Sequence, residues 1–220
     1  MSKTAILLGA TGLTGGILLD FLLKDDTFNQ VKLFSRSPVV HKDPKIEEHL
    51  VDMFNLEEHS DSFTGDVVFC CIGTTQANTP DKETYRKIDH GIPVTAAKLA
   101  KENGIDTFVV ISAMGADVKS SVFYNRTKGE MERDVLSKGI PNTYVLQPSL
   151  IGGDRDEKRT GERMAQFFMG TFGFLIPKKY KIIQPETIAK AMQRLSKSEA
   201  AETRITSERI KEIANGWDRT

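Results

Sequence analysis

The chain has 220 residues, of which 39% are hydrophobic, with 30 basic and 30 acidic side chains. That length supports one domain with a sizeable core, and the cancelled, scattered charge offers no field for steering toward nucleic acid or an anionic membrane. No apolar stretch approaches the ~20 residues of a membrane span, so a small-molecule substrate is the expected partner of a monomer or homodimer.

The opening "MSKTAILLGATG" lacks the long apolar region and small-residue cleavage site of a signal peptide, and reads as a strand buried on both faces. "LTGGILLDFLLK" follows, with Leu13, Ile17, Leu18, Phe21 and Leu22 at helical spacing. Between them stand Gly9, Gly12, Gly15 and Gly16, although glycine in a helix costs roughly 0.5–1 kcal/mol relative to alanine. A dinucleotide would explain the loss. Gly9 allows the tight turn, Gly12 lets a pyrophosphate approach the amides at the helix N-terminus, and Gly15 lets helix and strand lie close. The spacing "GATGLTG" is GxxGxxG, and Gly9, Thr11, Gly12, Leu13, Thr14 and Gly15 form the expected cofactor loop.

"QVKLFSR" reads as the second strand. Its end carries no carboxylate for a ribose 2′-hydroxyl; Ser35, Arg36 and Ser37 instead offer hydroxyls and a guanidinium suited to a 2′-phosphate, so NADP is the expected cofactor, with NADPH preferred over NADH. "HLVDM" reads as a short third strand, with Asp52 and Met53 placed beside the adenine. "DVVFCCIG" is a fourth strand, rich in β-branched and aromatic residues. Its neighbours Cys70 and Cys71 are the only cysteines and cannot staple distant segments, and His41, His49, His59 and His90 have no metal-ligand spacing. No metal is expected, and a reducing, cytoplasmic location is.

"DKETYRKIDHGIPVTAAKLAKENG" reads as a helix, "DTFVVISAMG" as a strand and "SSVFYNRTKGEMERDVLSKG" as a helix. "NTYVLQPSLIGG" gives a sixth strand and the loop beyond it. This alternation predicts an α/β fold, a doubly wound parallel sheet of Rossmann type. Tyr124 and Lys128, four apart, share a helix face. An ammonium beside a phenol favours the phenolate and moves a group of ordinary pKa near ~10 toward acid–base use. Ser112, at a strand's carboxyl edge, is placed to polarise a substrate carbonyl while Tyr124 transfers the proton. Ser112, Tyr124 and Lys128 are the candidate catalytic set.

Beyond Asp154, "GERMAQFFMGTFGFL" and "QPETIAKAMQRLSK" read as helices, the second with Pro185 in its first turn. "TRITSERIKEIA" reads as a strand, an N-cap at Ser207 and a helix. Residues 1–220 are taken as one domain, with 154–220 as a small cap over the sheet's ligand edge. Arg155, Arg159 and Arg163 among the carboxylates of "GDRDEKRTGER" fit an ion-pair network pinning the cap to the sheet, or, for Arg155 or Arg159, a clamp for an anionic substrate.

Taken together, "GATGLTG", "VVFCCIGTT", "ISAMGAD", "FYNRTKGEMERDV" and "QPSLIGGDRDEKRTGE" resemble the short-chain dehydrogenase/reductase superfamily, and within it the atypical branch of Tat-interacting-protein-like NAD(P)H-binding oxidoreductases. The likeness covers nearly the whole chain. It implies a Rossmann domain binding NADPH, with Ser112, Tyr124 and Lys128 matching the superfamily's serine, tyrosine and lysine. It also implies that Gly73, Thr74 and Thr75 lie along the cofactor, that Lys128 reaches its ribose, and that Pro148 and Ser149 border the nicotinamide. Thr75 also fits a turn cap. Many relatives outside this branch carry an asparagine where this sequence has Asp89 and His90, so the proton relay through that asparagine is not carried over. Three functions follow as expectations: an NADPH-dependent reductase of a small carbonyl (or oxidant of the alcohol), an NADP(H)-binding redox-sensing regulator without turnover, and a sugar-nucleotide epimerase, for which the last 65 or so residues leave little room.

Overall fold

In the computed structural model, which describes residues 2–152, 182–197 and 202–216, strand β1 (Lys3–Leu8) sends alternate side chains into two separate cores. Ala5 and Leu7 face one, Ile6 and Leu8 the other, and all four are fully buried. A strand buried on both faces cannot alternate apolar with polar, which is why "TAILL" is a continuous apolar run. Burial of a side chain such as Ile6 stabilises the fold by about 1.5–3 kcal/mol.

The other strands are β2 (Phe28–Ser35), β3 (Ile46–Leu50), β4 (Val67–Cys70), β5 (Thr107–Ile111), β6 (Asn142–Gln147) and β7 (Arg204–Thr206). All pairings are parallel, in the order β3-β2-β1-β4-β5-β6-β7. The order reverses direction between β1 and β4, which opens a crevice at their carboxyl ends where ligands of such sheets bind. Helix α1 (Leu13–Leu23) covers one face through Leu18, Leu19 and Leu22. The opposite face is covered by α3 (Ile92–Glu102) and α4 (Phe123–Leu136), through Ala96, Ala97, Leu99, Ala100, Met131 and Val135.

The third strand begins earlier than "HLVDM" indicates, at Ile46, because Val31 already pairs with Ile46 and Ser35 with Leu50. Met53 instead opens a 3-10 segment, Met53–Ser62, capped by the Asp52 side chain on the amide of Phe54. The long helix read from Asp81 is capped by that residue and is three pieces: α2 (Lys82–Arg86), a π-helical turn (Lys87–Gly91) and α3. Pro93 explains the widening. In a regular α-helix its ring would collide with the carbonyl of Asp89, four residues back.

Helices α5 (Pro185–Leu195) and α6 (Ser207–Ala214) complete the described chain. Their packing is against the body of the sheet. Ile188, Ala191 and Met192 of α5 pack in the same core as Leu18 and Leu22 of α1, and Ile205 of β7 joins it. The apolar faces of both helices are used up in this packing, so these segments extend the sheet's body. Residues 153–181, with the helix expected over "GERMAQFFMGTFGFL" and the cluster of Arg155, Arg159 and Arg163, lie outside the described residues. The N-cap of α6 is Thr206, not Ser207; Ser207 is buried, with its hydroxyl 2.9 Å from that of Ser149.

Candidate functional site

The glycine loop separates two kinds of need. Gly9 has φ +87°, and a Cβ there would lie 2.9 Å from the backbone of Cys71; a Cβ on Gly15 would lie 2.0 Å from the carbonyl oxygen of Gly9. Both glycines are required by the protein's own packing. Gly12 is different. Its φ of −86° and ψ of 168° suit any residue, and a Cβ would meet only the carbonyl oxygen of Gly9, at 3.3 Å, a tight contact that a shift of a few tenths of an ångström relieves. It occupies the N-cap of α1, where Ser, Thr, Asp or Asn would ordinarily satisfy first-turn amides, and no side chain does so here. The result is a bare helix N-terminus at the crevice, flanked by exposed Thr11 and half-buried Leu13, with Thr14 turned inward. This cradle fits a dinucleotide's pyrophosphate.

At the end of β2 the three expected residues part ways. Ser35 is buried and donates its hydroxyl proton to the carbonyl of Ser37 at 2.8 Å. Arg36 is exposed, with no hydrogen bond or ion pair to a described residue, and stays available to an anion. Asp52 is exposed, while the side chain of Met53 is buried in the core with Phe34 and Phe63. Across the crevice the amide of Cys71 donates to Leu8 at 2.9 Å, bringing the Gly73–Thr75 loop beside the glycine loop. Thr75 caps its own turn, taking the amides of Asn78 and Thr79. Thr74 bonds Thr79 through its hydroxyl.

Helix α4 carries Tyr124, Lys128 and Glu132 one turn apart on one face. Lys128 is buried and forms an ion pair at 2.8 Å with Asp89 of the π-helical turn. Gly73 lies over this pair: a Cβ there would stand 3.5 Å from Asp89 Oδ1 and 3.7 Å from Lys128 Nζ. Burial works against the Lys128 ammonium, yet Asp89 and Tyr124 hold its pKa above the ordinary lysine value. Burial likewise raises the phenol of Tyr124; Lys128 pulls it down and Asp89 pushes it up, leaving it above the ordinary tyrosine value. The ring of Tyr124 meets that of Tyr85 edge-on, with centroids 6.4 Å apart.

The structure brings Tyr124 and Lys128 together but sends Ser112 elsewhere. Its hydroxyl donates to Glu132 Oε1 at 2.6 Å, a buried bond. Glu132 also accepts from Gln147 at 2.9 and 3.1 Å and from Arg204 at 2.9 Å. The proton that Ser112 was expected to offer a carbonyl is donated to a carboxylate in this structure. A cavity of about 350 Å³ lies on the other flank of Glu132, lined by Asp117, Val118, Gly129, Arg133 and Arg204, two turns from Tyr124. Pro148 is buried with its carbonyl taking the amide of Met114 at 2.9 Å, and Ser149 is buried beside Ser207.

A family model described as NAD(P)H-binding matches residues 9–172. The chain belongs to that family. Rat protein HTATIP2 is 32% identical, covering 80% of this chain and 76% of its own length. The mitochondrial protein FMP52 of Eremothecium gossypii is 33% identical, covering 71% and 70%. These relatives belong to the atypical short-chain dehydrogenase/reductase branch, as the resemblance implied. A UDP-N-acetylglucosamine 4-epimerase from Methanobrevibacter ruminantium superposes with a TM-score of 0.72 over 96% of this chain and 80% of its own, at 16% identity, which shows a shared fold.

Gly12 with the first amides of α1, exposed Arg36, and Gly73 beside the Lys128–Asp89 pair stand near the carboxyl ends of the strands of this NAD(P)H-binding fold. The cytoplasmic expectation is overturned by the FMP52 relatives from Eremothecium, Debaryomyces, Emericella and Candida, which are named mitochondrial. Two unpaired cysteines argue only for a reducing compartment, and that is not the same as the cytosol. Sequence reasoning also missed Glu132. Its signal was present, since Tyr124, Lys128 and Glu132 repeat at four-residue intervals on the helix face that also carries Met131 and Val135.

Proposed function

We propose that the chain is an NADPH-dependent reductase of a small carbonyl compound. The observation that carries this reading is the placement of Tyr124 and Lys128 on one face of α4, with Gly73 over the Lys128–Asp89 pair, at the same sheet edge as the bare N-terminus of α1. The bound cofactor supplies a hydride. Tyr124 holds the proton for the carbonyl oxygen at its Oη, and Lys128 holds the ribose hydroxyls and tunes the phenol. Arg36 holds the 2′-phosphate that distinguishes NADPH from NADH.

Absorbance loss of NADPH with a panel of aldehydes, ketones and quinones tests the reaction. Turnover is expected for the wild type and absent in Tyr124→Phe; a wild type that binds NADPH and consumes none of it with any carbonyl overturns the reading. Arg36→Ala is expected to weaken NADPH about tenfold or more, the loss of a charged hydrogen bond, and to leave NADH nearly unchanged. Equal losses would remove the argument for the 2′-phosphate.

One observation favours a second reading, an NADP(H)-binding regulator without turnover. The hydroxyl proton of Ser112 is committed to Glu132, which leaves the carbonyl one donor short. From the names of the FMP52 relatives we further infer a mitochondrial location, testable by imaging the tagged chain beside a mitochondrial marker.

A further inference from the structure

Asp89 is wholly buried, and its Oδ1 has no well-formed hydrogen bond among the described residues, only the charge of an ammonium beside it. Oδ2 accepts the amide of Thr74 at 2.8 Å, and Oδ1 lies 2.8 Å from Nζ of Lys128. Two charges taken out of water give a fold no more stability than apolar side chains of the same volume would. A buried pair one helical turn from a reacting phenol therefore points to the site's chemistry rather than to its packing.

Lys128 alone would be a cation beneath Tyr124, favouring loss of the phenolic proton. Beside Asp89 it is one end of a neutral pair. We propose that Asp89 is a positioning residue for Tyr124 and Lys128: it pins the ammonium beneath Gly73 and cancels its charge, so that Tyr124 keeps its proton and the site gives a proton to a carbonyl rather than taking one from an alcohol. This rests on the reductase reading above. In that reaction the carbonyl carbon accepts the hydride of the reduced nicotinamide, which is oxidised. The Oη–H bond of Tyr124 breaks as the product's O–H bond forms, and solvent returns the proton to the phenolate. Asp89 neither gives nor takes one.

The other groups around the phenol leave that balance in place. From α2 the ring of Tyr85 meets it, with a buried hydroxyl whose pKa burial raises, so it carries no charge. From β4 the buried thiol of Cys70, whose charge would act on Lys128, is pushed up to about 11 by burial, so it is neutral too. Farther along α4, Glu132 is taken by Ser112, Gln147 and Arg204. His90, next to Asp89 in the π-helical turn, is turned to Asp134 at 2.8 Å. Asp89 also ties the Gly73–Thr75 loop to α4 through Thr74, so the residue that sets the charge also sets the loop over it.

The test is a pH titration of the full chain by NMR with ring-labelled tyrosine, using Tyr124→Phe to identify the resonance. In the wild type the phenol is expected to stay protonated to about pH 10 or above, the ordinary tyrosine value. In Asp89→Asn, whose amide oxygen can still accept from Thr74, the midpoint is expected to fall by about one unit or more, as for a group beside an uncompensated opposite charge. An unchanged midpoint in folded Asp89→Asn overturns the proposal. Should that variant not fold, the wild type decides alone, because a midpoint clearly below the ordinary value would show that Lys128's charge is not cancelled. Lys128→Met gives a further arm, with the midpoint expected to rise; a fall there also overturns it. None of these readings needs turnover, so an inert protein with the expected shifts would sink the reductase reading and leave the charge balance standing.

Discussion

Ser112 Oγ lies 2.6 Å from Oε1 of Glu132, and this buried bond joins the carboxyl end of β5 to the third turn of α4. A hydrogen bond to a charged group contributes about 1.5–3 kcal/mol, and removing a donor from a buried carboxylate exposes that cost. Ser112→Ala is therefore expected to lower the unfolding free energy by about that amount in urea titrations, with NADPH affinity preserved. Loss of turnover without loss of stability would instead put Ser112 at the substrate.

Gly12 and Gly15 are three residues apart and should respond oppositely to one methyl group. Gly15→Ala forces a Cβ to 2.0 Å from the carbonyl oxygen of Gly9, so the loop or helix must move. Overpacking of this kind costs about 1–3 kcal/mol or more, and a lowered thermal midpoint is expected. Gly12→Ala has a backbone conformation open to alanine and one tight contact, 3.3 Å to the carbonyl oxygen of Gly9, which must give by a few tenths of an ångström. Its stability cost is expected to stay under about 1 kcal/mol, that of a changed N-cap. NADPH affinity, measured by calorimetry, should fall about tenfold or more as the methyl meets the pyrophosphate.

These two glycines also show what the sequence makes legible. The strand, turn and helix around them, the parallel sheet and the Tyr124–Lys128 pair all follow from local periodicity and four-residue spacing, and periodicity is a property of a single segment. The destination of Ser112 is not. It depends on a carboxylate 20 residues on and on Arg204 from the last strand, and no local pattern records that meeting. The π-helical turn is an intermediate case. Pro93 was visible in "HGIPV", but its effect on the carbonyl of Asp89, and hence the presentation of that side chain to Lys128, needs three dimensions. The C-terminal helices were legible as helices, while their place beside α1 was not, because an amphipathic face does not name its partner.

Asp134 makes stability depend on acid. Arg133, with Nε at 2.7 Å, holds its carboxyl down at about 2 against the opposing effect of burial, and His90, at 2.8 Å, adds a smaller pull in the same direction. A folded-state pKa below the ordinary carboxylate value gives stabilisation that is complete above about pH 4 and is lost as pH falls through 2. Solvent reaches Arg133, so the contribution is discounted to about 1 kcal/mol. Asp134→Asn should be less stable than wild type by about that amount at pH 6, and the gap should close toward pH 2 in urea titrations at each pH. A gap that is constant with pH would mean that packing, not charge, carries the interaction.

Cys70 and Cys71 should be silent toward thiol reagents while the protein is folded. Cys70 is fully buried in β4, and burial pushes its thiol up to about 11; Cys71 is raised well above the ordinary value for the same reason, with its sulfur 3.9 Å from that of Met192. The thiolate is the nucleophile, so at neutral pH each cysteine presents almost none of the reactive form, although Cys71, unlike Cys70, is only half-buried. Modification by an aromatic disulfide reagent is therefore expected at two thiols per chain in denaturant. In buffer it should proceed no faster than the chain opens, at a rate independent of reagent concentration once the reagent is abundant. A fast single-thiol phase in native buffer would place Cys71 on an accessible wall of the crevice. Its backbone already touches the glycine loop there, and bound NADPH should then shield it.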